Sequence, residues 1–170
     1  MKKLILFALL CICATTSNAQ ESKLTGTWIG TFRFQHLDDS DDWVWCNRKL
    51  YIRIYKYDNY GLKMKEVPGD GACNKCTTSY YEECIITHVD DNAIYFYDKQ
   101  DWGRNEWGGD EICEDHYSLT HSNGILRLTP VKRIIIEYDR YGSIRKKDDV
   151  THRAAWILKN ITLYKEETDW

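Results

Sequence analysis

Cys73-Asn74-Lys75-Cys76 is the tightest pairing of reactive side chains in the 170-residue chain. Two thiols at that spacing can exchange a disulfide or share a zinc ion. Exchange chemistry wants the pair at the head of a helix in a βαβ unit, where the first thiol loses its proton readily. Here the pair follows Gly69-Asp70-Gly71-Ala72, a turn-like run between β-patterned segments. A zinc site would recruit Cys84 and His88, which lie about 13 Å apart along one strand face by rise per residue. One tetrahedral ion does not reach both unless the strand bends. The favoured reading is structural. Cys46, Cys73, Cys76, Cys84 and Cys113 are disulfide candidates that would staple loop 68–79 to its neighbours, connectivity open.

The histidines and carboxylates were tested the same way. His116 and His121 stand five apart on one strand pattern and point to opposite faces, so they do not share a metal. Glu114 and His116 share a face and could form an acid–base pair; lacking a nucleophile or third member, they read as an outward polar pair. Asp38-Asp39-Ser40-Asp41-Asp42 offers four carboxylates, and calcium takes several such oxygens. The run lacks the Gly at the sixth and Glu at the twelfth position of an EF-hand loop, and reads as a solvated acidic loop. Asp110-Glu111 and Glu114-Asp115 form a second acidic cluster. The expectation is no metal and no cofactor. Gly-x-Ser-x-Gly, His-Glu-x-x-His and phosphate-loop motifs are absent from the sequence, so no enzymatic activity is expected.

Aromatic residues carry more information. Between positions 44 and 57, Leu50, Ile52 and Ile54 alternate with Tyr51, Arg53, Tyr55 and Tyr57, the aliphatic set facing a core. Trp43 and Trp45 have the parity of the tyrosines. The segment Asp101-Trp102-Gly103-Arg104-Asn105-Glu106-Trp107-Gly108-Gly109 reads as a loop with two tryptophans among glycines and charges. Tyr, Trp and Arg dominate binding surfaces. Trp102, Trp107, Tyr51, Arg53 and Tyr55 are therefore the candidate ligand-binding residues. The competing role for Trp102 and Trp107 is to cap the end of a barrel.

What must position these residues is a run of strands. The mature segment shows no long helical apolar period, and short alternating runs are broken by turn residues. Strands are expected near 26–35, 44–57, 61–67, 79–89, 93–99, 113–121, 125–137, 143–147 and 153–165. Asn123-Gly124 predicts a two-residue turn, because both positions need positive φ. Folding there pairs Leu119 with Leu128 and His121 with Leu126, which puts Leu119, Leu126 and Leu128 on one face. Tyr57-Asp58-Asn59-Tyr60-Gly61 and Tyr138-Asp139-Arg140-Tyr141-Gly142 repeat one turn pattern, Asp capping and Gly supplying the left-handed residue.

The N-terminus predicts where the chain works. Met1-Lys2-Lys3, an apolar run from Leu4 to Cys13, and Ser17-Asn18-Ala19 read as a signal peptide over 1–19, cleaved between Ala19 and Gln20. The run is too short to span a bilayer. The expected product is exported, periplasmic or extracellular, and soluble, with residues 20–170 as one domain. Removing Lys2 and Lys3 from 23 basic residues leaves 21 against 26 acidic ones. That acidic balance argues against a nucleic-acid partner.

Eight or nine antiparallel strands with short connections in one domain suit an all-β closed barrel or a two-sheet sandwich, and the first strand tips the choice to a meander barrel. Gly26-Thr27-Trp28, followed by Ile29-Gly30-Thr31-Phe32, resembles the first strand of lipocalin and other calycin barrels, in which Gly-x-Trp closes one end. The resemblance implies a barrel closed beneath Trp28, with Arg153 as the basic residue packed on it. It also implies a non-enzymatic binding protein with a small apolar or amphipathic ligand inside. The alternative is an exported partner-binding module, an inhibitor or envelope component, that uses an outer Trp/Tyr face. An apolar chamber of about 300 Å³ or more favours the first; a filled barrel with an exposed aromatic patch favours the second.

Overall fold

The computed structural model describes residues 23–37, 43–56, 59–69, 82–90, 92–153 and 160–167. Nine strands form the fold: β1 Gly26–Leu37, β2 Trp43–Lys56, β3 Tyr60–Pro68, β4 Glu82–Asp90, β5 Ala93–Arg104, β6 Asp110–Ser122, β7 Ile125–Tyr138, β8 Ile144–Asp149 and β9 Ile161–Lys165. Neighbouring strands pair antiparallel in the order β6-β5-β4-β3-β2-β1-β9-β7, and β6 pairs with β7 to close the ring. The result is an eight-stranded meander barrel with β8 as an extra strand. Strand β7 is shared along its length: Ile125 to Leu128 pair with β9 and Ile134 to Tyr138 with β8.

The barrel closes where the alternation is cleanest. Trp28, Leu50, Ile52, Ile54, Leu62, Ile94, Phe96, Leu119, Leu126, Leu128 and Leu163 are almost wholly buried and belong to one cluster. The Asn123-Gly124 turn has the expected positive φ at both residues, 51° and 79°. Its hairpin has the expected register, Leu119 opposite Leu128 and His121 opposite Leu126. Gly30 is required by packing: a Cβ there would sit 2.7 Å from Ile161, Leu163 and the Thr162 carbonyl, so only glycine lets β9 lie this close.

Gly26-Thr27-Trp28 occupies the closed end. Trp28 is buried, and its indole N–H donates to the Leu24 carbonyl at 2.8 Å. The His121 ring meets it edge-on at 6.0 Å. A cation also lies over the ring, Lys165 of β9 with its Nζ 5.8 Å from the centroid. The basic residue seen on Trp28 is thus supplied by the last strand; the expected Arg153 lies in a short 3-10 turn, Thr151–Arg153, with its side chain outside the described set.

Several expectations need correction. The presumed loop 101–109 is strand over its first four residues: β5 runs to Arg104 and β6 starts at Asp110, leaving 105–109 as a turn. The two Tyr-Asp-x-Tyr-Gly segments differ as well. Gly142 has the left-handed φ of 81°, whereas Gly61 does not and lies within β3. Gly61 is demanded instead by the Tyr55 ring, which a Cβ would approach to 2.3 Å. The signal segment with Ala19 and Gln20, the acidic loop 38–42, Tyr57 and the Cys73/Cys76 loop lie outside the described residues.

Candidate functional site

The last β4–β5 pair at the upper end is Ile85 with Tyr97. Beyond it β5, β6, β7 and β8 continue as a four-stranded ribbon, out to the pairs Arg104–Asp110 and Tyr138–Ile144. Two tight turns cap this ribbon. At residues 105–109 the Asn105 side chain does the fastening: its Oδ1 accepts from the Trp107 and Gly109 amides at 3.0 and 3.2 Å. Its Nδ2 donates to the Tyr138 carbonyl at 2.9 Å, tying the turn to β7. Gly109 fits because a Cβ would lie 2.0 Å from that same carbonyl oxygen. In the β7–β8 turn, Asp139 Oδ1 accepts from the Tyr141 and Ser143 amides at 2.8 and 2.9 Å. Side chain–backbone bonds of this kind hold a turn without a core beneath it.

These turns present a patch. Trp107 is 47% exposed, Tyr141 75% and Ile144 59%. The Arg145 guanidinium lies 3.6 Å from the Trp107 ring centroid, and that of Arg140 lies 4.8 Å from the Tyr141 ring. Both are within cation–π range. A bulge at Asp101/Gly103 interrupts the β5–β6 register at Trp102. Gly103 takes φ 90°, and its amide donates to Asp101 Oδ1 at 2.8 Å. Trp102 is 45% exposed, with the Arg133 guanidinium 5.9 Å from its ring.

Arg133 roots the ribbon. It is buried and makes a two-point ion pair with buried Asp115. Asp115 shares the inward parity of Tyr117 and Leu119, and a bulge at Val131 rotates β7 so that Arg133 faces it. Asp115, a member of the second acidic cluster, is therefore interior and paired. Inside the mouth, Lys65, Glu66, Glu82, Asp98 and Gln100 line a cavity of about 180 Å³ above Leu50 and Met64. Arg48 binds Glu66 at 2.7 Å, and Gln100 Nε2 donates to Asp98 at 3.0 Å. Burial, then the charges of Asp98 and Glu66, push the Glu82 carboxyl up from its ordinary value.

The three described thiols face this upper interior. Cys46, Cys84 and Cys113 are buried, and no disulfide links any two of them. The stapling role expected of them is not seen among the described residues. Burial and the charge of Asp115 push the Cys113 thiol up to about 11, and burial raises Cys84 further. Thiols held in this protonated form are poor nucleophiles. Among the described residues no group of three His, Cys, Asp or Glu side chains is arranged to hold a metal ion.

The five candidate residues do not form one site. Tyr51, Arg53 and Tyr55 lie on the outer face of β2, where the Tyr55 hydroxyl donates to Glu83 and its ring underlies Lys63. Strands β3 and β4 separate them from β5, and Trp102 is five residues, about 16 Å of strand, beyond Tyr97. Trp102 and Trp107 share the ribbon end; the β2 trio does not reach it. Glu114 and His116 do pair, at 3.3 Å, though mostly buried, with the Tyr97 ring stacked on His116 at 5.0 Å. Asn105, Arg133 and Arg145 were not anticipated. An Asn four residues before Gly109 and an inward-parity Asp115 were the available signals.

Neither a family model nor a curated protein matches this chain.

Proposed function

We propose that this is an exported, non-enzymatic binding module that grips a protein partner with the tip of the β5–β8 ribbon. One observation carries the reading: Trp107, Tyr141 and Ile144 stand exposed together on turns fixed by Asn105 and Asp139, and Arg145 is stacked on Trp107. Aromatic and arginine anchors that are rigid before binding lose little entropy on contact, which is what interface hot spots require. The filled lower barrel acts as the scaffold.

The test places a photo-crosslinking residue at Tyr141 in cells that naturally make the protein. A discrete protein adduct is expected, and it should vanish with Trp107→Ala or Arg145→Ala. An adduct unaffected by both substitutions would sink the proposal.

A second reading rests on the mouth cavity. Three carboxylates above Leu50 and Met64 suit a small amphipathic cation, a variant of the small ligand that the calycin resemblance implies. About 180 Å³ is below the usual ligand-pocket range of about 300–1,000 Å³. Native mass spectrometry of the wild-type protein showing a bound amine, lost in Asp98→Asn, would favour it.

A further inference from the structure

The opposite end of the barrel holds a larger depression of a different chemistry. An open cleft of about 880 Å³ lies beneath Trp28, bordered by the N-terminal segment, the start of β5, the β6–β7 hairpin and the end of β9. Its ionisable lining residues among those described are all bases: Lys23, His121 and Lys165. The remaining polar lining, Asn92, Thr120, Ser122 and Asn123, supplies amide and hydroxyl hydrogen-bonding groups. In a chain with net charge −3 this is a local reversal of sign.

The cleft is also well braced. His121 packs edge-on to Trp28, and its amide donates to the Asn92 carbonyl at 2.8 Å. Lys165 is held over Trp28, and the Glu166 amide donates to the Thr27 carbonyl at 2.8 Å, fixing the end of β9. Lys23 lies just before Leu24, whose carbonyl takes the Trp28 indole proton. The bases are thus attached to elements of the closed barrel end, at the far pole from the ribbon.

We infer that this cleft binds a small molecule bearing an oxyanion, a carboxylate or a phosphate, together with hydroxyl groups. The ammonium groups of Lys23 and Lys165 would meet the anion with charge-assisted hydrogen bonds, the strong class. Asn92, Ser122 and Asn123 would take the hydroxyls. The volume falls within the range of small-molecule sites. This site is independent of the ribbon tip, and either can fail without the other.

The test uses inorganic phosphate and citrate as probes, with titration calorimetry and amide and indole NMR on the purified wild-type protein. At least one probe should bind saturably at low salt, move the Trp28 indole N–H signal, and weaken as salt rises. Lys23→Gln and Lys165→Gln should each weaken binding about tenfold, while Lys63→Gln on the barrel wall leaves it unchanged. Because Lys165 touches Trp28, its variant is read beside a melting curve. Exposed Lys23 decides the matter if that variant unfolds. No saturable binding of either probe would overturn the inference, as would equal weakening by Lys63→Gln.

Discussion

The lower barrel and the upper ribbon share three strands, β5, β6 and β7, yet they are held together by different physics. Below Tyr97 the inward faces of β5, β6 and β7 carry Ile94, Phe96, Leu119, Leu126 and Leu128, and the ring is closed by β1 and β9. Above it the inward face turns to Asp98, Asp115 and Arg133, and the tip is fastened by Asn105 and Asp139. The change falls where the ring loses its closing neighbours. Apolar side chains gain in proportion to the area taken out of water, and that area is largest where the ring is closed. At the open end, charges in fixed pairs and side chain–backbone bonds join a smaller apolar cluster of Ile112, Ile134 and Ile136. The comparison teaches that a filled core and a presentation surface can be allotted to successive halves of one hairpin.

The sharpest way to break the comparison is at its boundary. Asp115→Ala should cost about 3–5 kcal/mol, since it removes the two-point partner of the buried Arg133 charge. Denaturant unfolding measures it. The double variant Asp115→Leu with Arg133→Met should recover most of that loss, because a buried ion pair is often replaceable by apolar packing. A double variant as weak as the single one would show that the pair also sets the register at the Val131 bulge. Within the barrel, Leu128→Ala should cost about 2–5 kcal/mol, the range for a fully buried leucine. A loss well under 1 kcal/mol would mean the interior is less filled than its burial indicates.

A smaller effect separates the regions by pH. Burial lowers the His116 pKa on the outer face of the ribbon, only partly offset by Glu114. The folded state therefore favours the neutral ring. Its contribution to stability is present above the unfolded value of about 6.5 and is lost as pH falls through the lower, folded value. Glu82 in the mouth has the opposite sense: its raised pKa disfavours the folded state at neutral pH, and protonation relieves this as pH falls. On going from pH 7 to 5 the wild-type melting temperature should thus fall more, or rise less, than that of His116→Gln. Glu82→Gln should raise it at pH 7. An unchanged pH profile in His116→Gln would show that another group carries the dependence.

How much of this was legible beforehand follows the same boundary. The Asn123-Gly124 turn and the Leu119/Leu126/Leu128 face were readable because turn chemistry and alternation agree there. That alternation, repeated along the chain, implies an all-β fold; the choice of a barrel over a sandwich rests on the resemblance of Gly26-Thr27-Trp28 to a calycin first strand. The upper end was harder to read because its order depends on pairs distant in sequence. Nothing local to Asp115 announces Arg133, and nothing near Trp107 announces Arg145 on another strand. Trp102 and Gly103 looked like loop because a bulge mixes strand and turn chemistry in one segment. The β2 trio was grouped with the tryptophans by composition alone, and strand order separates them.

The smallest expected change in stability is the most telling about function. Trp107 is half exposed and rests on Arg145, so Trp107→Ala removes surface contacts and opens no cavity. Its effect on unfolding should stay within about 0.5 kcal/mol, the ordinary scale for surface substitutions. A binding anchor replaced by alanine commonly costs 2 kcal/mol or more of affinity. The ribbon reading therefore demands a dissociation: partner capture lost, melting curve unmoved. Asn105→Ala supplies the complementary case, because it removes the fastener and keeps the tryptophan. If the patch works by being rigid, Asn105→Ala should weaken capture although every aromatic side chain remains. If capture survives Asn105→Ala and fails only in Trp107→Ala, contact area alone would suffice, and the contrast between a filled barrel and a braced tip would lose its functional meaning.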